Sequence, residues 1–171
     1  QIVIGEDIFY KMDINSARID KMKYLRAYLH HELAHSVWTI KDLKSINNIL
    51  KGEGFSFSVF NLFEDARIEE NMRQHIKKYF NWSRYEVLDI PVNALDMLFY
   101  IVQTEHNQKS IVKLKKQIDA EAFDEFKVVY EFYKKIIQCA TSMGLVDIMR
   151  EWYRQFPLTP EYAKVYEDQN R

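Results

Sequence analysis

His31, Glu32, Leu33, Ala34 and His35 set two imidazoles four residues apart, with a carboxylate directly after the first. On an α-helix that spacing puts both rings on one face, a turn apart, where they can hold the same zinc ion. Glu32 then lies close to the metal without ligating it, placed to take a proton from a water that the ion has made acidic. The implied chemistry is zinc-dependent hydrolysis, with a peptide bond as the expected substrate. A catalytic zinc keeps three protein ligands and one open position, so a third ligand must come from elsewhere in the chain. Asn61 to Glu69 is the only dense acidic helix soon after the motif. Within it Asp65 and Glu69, four apart, share a face, and Glu64 lies about a hundred degrees round from Asp65.

These residues need a rigid frame. Ser16 to Trp38 contains neither Pro nor Gly and carries apolar residues at Met22, Leu25, Leu29 and Leu33, which predicts a helix that Asn15 or Ser16 can cap. Tyr24, Tyr28, His31 and His35 run along one side, next to the leucine stripe, so a metal there sits where core meets cleft. Either tyrosine can donate to a tetrahedral intermediate, although a core role is the first expectation in a chain with 11 Tyr. His30 points off that face, and His75 and His106 are lone histidines on helices, expected to be structural or exposed.

Further along, Ile2 to Tyr10 reads as one or two short strands broken near Gly5, able to offer an edge to an extended peptide or simply to cover the core. A short helix follows over Ile40 to Leu50, closed by Gly52 and Gly54. Phe55 to Phe60 alternates as a strand would, or forms an aromatic entry to the next helix. Helices are then expected over Asn61 to Tyr79, Pro91 to His106, Ile111 to Cys139 and Leu145 to Phe156, with a turn at Asn81 to Ser83 and a tail from Pro157 and Pro160. The expected fold is a single domain over residues 1–171, mainly α (α+β), with a small N-terminal β element.

Composition agrees with that class. The 171 residues are 47% hydrophobic with 4 Gly and 3 Pro, which favours long helices around a sizeable core. A net charge of -1 and the lack of a long basic run argue against nucleic acid or anionic membrane as partners. Cys139 is the one cysteine, which excludes a cysteine-built zinc site and an intramolecular disulfide. The longest apolar stretch, Leu95 to Val102, is too short to span a bilayer, and no signal peptide is visible. A reducing cytoplasm is the expected compartment. Because the first residue is Gln1, the chain reads as an excerpt or processed piece of a longer protein.

Leu25-Arg26-Ala27-Tyr28-Leu29-His30-His31-Glu32-Leu33-Ala34-His35, then Thr39, then Asn61 with Glu64-Asp65-Ala66-Arg67-Ile68-Glu69, resembles the metallopeptidase-like region of certain bacteriophage and bacterial proteins. In those proteins the region precedes a von Willebrand factor A domain. The resemblance spans Leu25 to Glu69. Its H-E-x-x-H part is shared by many zinc peptidases, and its E-D-x-R-I-E part is more specific. Ala27 departs from the glycine that the family favours, and no von Willebrand domain is recognisable in the chain. The resemblance implies a zincin-like fold with His31 and His35 as zinc ligands and Glu32 as general base. It places the third ligand in the Glu64-Asp65 pair. Asp65 is preferred because Glu69, at i+4, can receive a ligand histidine's free N–H; Glu64 is the alternative. A von Willebrand factor A domain or an AAA ATPase is the partner implied. Arg67 is expected to pair with a neighbouring acid and Glu70 to lie on a solvated face. The competing reading is a zinc-stabilised adaptor that binds partners without cleaving them, against which Glu32 counts, because a structural site needs no base.

Overall fold

The computed structural model describes residues 18–75, 91, 93–104, 114, 116 and 118–157. Six helices occur among them: α1 Arg18–Trp38, α2 Leu43–Glu53, α3 Phe57–His75, α4 Ala94–Thr104, α5 Ala120–Gln138 and α6 Gly144–Gln155. The fold is mainly α, and no strand occurs among the described residues. The β element expected over Ile2 to Tyr10 falls outside them, as do Asn15, Ser16 and the Asn81 to Ser83 turn. Among the described residues no helix is long and apolar enough to cross a membrane.

Local signals set the helix ends. Asp42 opens α2 by accepting from Ser45 N–H at 3.1 Å, and Gly54 closes it at φ 72°, a left-handed conformation that a side chain resists. The Phe55 to Phe60 alternation is an entry to a helix and not a strand, since α3 is already helical at Phe57. Of the helix expected over Ile111 to Cys139, Leu114 is helical, the helix is broken at Ile118 and Asp119, and α5 runs from Ala120. Asp119 accepts from Ala122 N–H at 2.8 Å and fixes the start there.

α3 is the hub. It packs against α1 on one side and against α4, α5 and α6 on the others. The main core gathers Phe60, Phe63, Phe126, Phe132, Tyr133, Ile136, Met149 and Trp152 with the aliphatic residues of α2 and α4. Trp152 centres it, with rings of Phe63 at 5.5 Å, Phe132 at 5.2 Å and Phe156 at 4.7 Å. A second, smaller cluster of Ala34, Ile68 and Met72, flanked by Trp38, joins α1 to α3. A helix buried on several sides should be apolar all round, yet α3 also buries Glu64, Arg67, Glu69 and Glu70. Charged residues survive there because each has a partner.

Candidate metal centre

α1 and α3 bring the expected residues together. His31 is buried and His35 half-buried, and their Nε2 atoms lie 3.2 Å apart. Asp65 Oδ1, from α3, lies 3.1 Å from His35 Nε2 and 3.7 Å from His31 Nε2. The three atoms form the corners of a small triangle. Each imidazole is held from behind. His31 Nδ1 lies 3.1 Å from Glu69 Oε1, and because a carboxylate only accepts, the ring nitrogen donates. The same assignment at His35 lets Nδ1–H donate to Thr39 Oγ1 at 2.9 Å. With both protons on Nδ1, both Nε2 atoms turn lone pairs toward Asp65.

That arrangement is unfavourable without a cation. Three acceptors face one another, and Asp65 Oδ1 is buried without a hydrogen-bond partner. Two ligands on a tetrahedral zinc, each about 2.0–2.1 Å from it, stand roughly 3.3 Å apart. The observed separations lie around that value, and two imidazoles with a carboxylate are a donor set that zinc accepts. The residues fit the ion. Burial works against charge on His31, but its hydrogen bond to Glu69 and the charges of Asp65, Glu69 and Glu32 raise its pKa above the ordinary value, so the surrounding acids favour a positive charge here, which a proton can supply in place of a metal ion.

Glu64 serves a different purpose. It is 1% exposed and accepts from Arg67 Nε at 2.9 Å, from Arg67 Nη2 at 2.7 Å and from Ser142 Oγ at 2.8 Å. Arg67 also donates to the Trp38 carbonyl at 2.8 Å, and Ser142 Oγ accepts Ile40 N–H at 3.0 Å. This buried network ties the end of α1 to α3 and to the turn before α6. Arg67 thus pairs with a neighbouring acid, as expected. Glu70 does not lie on a solvated face: it is 7% exposed and accepts from Arg73 Nε and from Gln74 Nε2, both at 2.8 Å.

Glu32 opens with His31 and His35 onto a cleft of about 780 Å³. α1 supplies Ser36 to its lining, and Ile40, Leu43, Phe57, Phe60 and Asn61 come from the following segments. His30 is half-buried, and burial and then the Arg26 charge hold its pKa below the ordinary value. His75 is exposed, with Nδ1 2.7 Å from the Asn71 carbonyl. Tyr28 is half-buried, while His106 and the Tyr24 side chain lie outside the described residues. Sequence reasoning gave no role to Thr39, although its spacing of four from His35 was a usable signal, and no local pattern announces Ser142. Among known proteins, the chain matches no family model, no curated protein and no solved structure.

Proposed function

We propose that His31, His35 and Asp65 hold a zinc ion and that the protein is a zinc-dependent hydrolase of peptide bonds, built on a zincin-like helical domain. The observation carrying this reading is the convergence of three acceptor atoms, one of them a buried and unpartnered carboxylate oxygen, beside an open cleft. Bound zinc supplies an acidified water and polarises a substrate carbonyl. Glu32 reaches the same cleft and accepts the water proton on its carboxylate, then returns it to the leaving amine. Glu69 and Thr39 fix the tautomers of His31 and His35, so the ring lone pairs stay directed at the site. Arg67 takes up the charge of Glu64, which leaves Asp65 as the carboxylate open to the metal. The lone Cys139 suits a reducing compartment, and we place the activity in the cytoplasm.

Glu32→Gln tests the reading. The amide keeps the size and cannot accept the proton, so cleavage of a denatured protein mixture, followed by mass spectrometry, should fall by about 10²–10⁴-fold. Zinc content and melting temperature should stay at wild-type values. Undiminished cleavage in Glu32→Gln would remove this residue as the base. Absence of cleavage by wild-type, zinc-loaded protein would favour the adaptor reading.

A further inference from the structure

The cleft is lined by two kinds of residue. Glu32 and Ser36 of α1, with Thr39 just after it, are polar. Ile40, Leu43, Phe57 and Phe60 are apolar. Phe60 is 1% exposed and belongs to the core, whereas Phe57 and Leu43 are 40% and 41% exposed. The Phe57 and Phe60 rings lie 5.7 Å apart, so the exposed Phe57 is backed by a ring of the core. Large apolar side chains held at the edge of a cleft gain free energy when a ligand covers them. The charges narrow the choice further. Lys41 is the cation among the lining residues, and the Glu64 carboxylate is occupied by Arg67. A basic side chain meets repulsion from Lys41, and the carboxylate left in the lining, Glu32, is already given to the proposed reaction. A plain hydrocarbon would cover the apolar residues and leave the polar ones unmatched, whereas a peptide matches both. Its main chain can bond to the polar side, and Asn61 adds an amide that both donates and accepts.

We propose that Leu43 and Phe57 are the specificity residues of this cleft, seating one large apolar side chain of phenylalanine, leucine or methionine size on a peptide whose main chain lies along α1. The inference rests on the zinc-hydrolase reading and adds the substrate class to it. The test uses the full chain loaded with zinc and two probes, the hydroxamates of N-acetylphenylalanine and N-acetylalanine, whose hydroxamate groups chelate zinc alike. The benzyl probe should bind about 10–100-fold more tightly than the methyl probe. Phe57→Ser and Leu43→Ser, at positions that are already two-fifths exposed, should each bring the two affinities together. Equal affinities in the wild type, or an undiminished preference in both variants, would overturn the proposal while leaving the zinc reading intact. If neither hydroxamate binds, the zinc is closed to ligands and the hydrolase reading fails, and the subsite is judged by NMR titration with N-acetylphenylalaninamide and N-acetylalaninamide. A preference for the phenylalanine amide that Phe57→Ser removes supports the subsite; no preference ends it.

Discussion

Toward α5 and α6, helix α3 presents Phe63 and its neighbours to Trp152, Phe132 and Ile136, and the contact is apolar and closely filled. Toward α1 it presents Asp65, Glu69 and Arg67, and the apolar part of that contact is confined to Ala34, Ile68, Met72 and the flanking Trp38. One interface is held mainly by apolar burial. The other combines a small apolar patch with buried charge, and it leaves a carboxylate oxygen unsatisfied. If zinc binds as proposed, this difference marks the α1–α3 contact as the part that depends on it. Removing the metal should then loosen α1 against α3 and leave the aromatic core in place, because a bound ion would cross-link the two helices only in the folded state.

The largest effect should come from the aromatic side. Trp152→Ala leaves a cavity where three rings meet and should cost about 4 kcal/mol in urea unfolding, equally with and without zinc. Next come two adjacent carboxylates with opposite consequences. Glu64→Ala strands a buried guanidinium and should cost about 3 kcal/mol while zinc binding persists. Asp65→Ala should leave the metal-free protein near its original stability and abolish the zinc-linked gain, which is about 2.7 kcal/mol when free zinc stands at a hundred times its dissociation constant. Thermal unfolding with and without zinc separates the two; equal zinc dependence in both variants would erase the contrast. Smaller still is Thr39→Val, which keeps the shape and removes the hydroxyl that holds His35. Zinc affinity, read by competition with a chelator, should drop about 10–100-fold with little change in metal-free stability.

Much of this architecture was legible because it is local. The four-residue spacing of His31 and His35, and of Asp65 and Glu69, is a property of one turn of helix, and the structure sets the first pair beside the second. Gly54 was legible as a helix stop for the same reason. What the chain did not disclose depends on distant partners. Ser142 meets Glu64 across 78 residues, and nothing around either residue signals the contact. The burial of Glu70 was hidden too, because an acidic residue on a helix ordinarily faces water, and its bonds from Arg73 and Gln74 let it stay inside. The break before α5 was not legible, because the helical pattern runs on through Ile118, whereas the Asp119 side chain, a cap that competes with helix interior, opens a helix at Ala120.

Zinc-edge X-ray absorption on the whole protein, combined with elemental analysis after dialysis against zinc, tests most directly whether His31, His35 and Asp65 hold the ion. The account predicts one zinc per chain with nitrogen and oxygen ligands at about 2.0–2.1 Å, lost in Asp65→Ala and kept in Glu64→Ala. A wild-type protein that retains no zinc, or a His31→Ala, His35→Ala variant that retains it unchanged, would contradict the account.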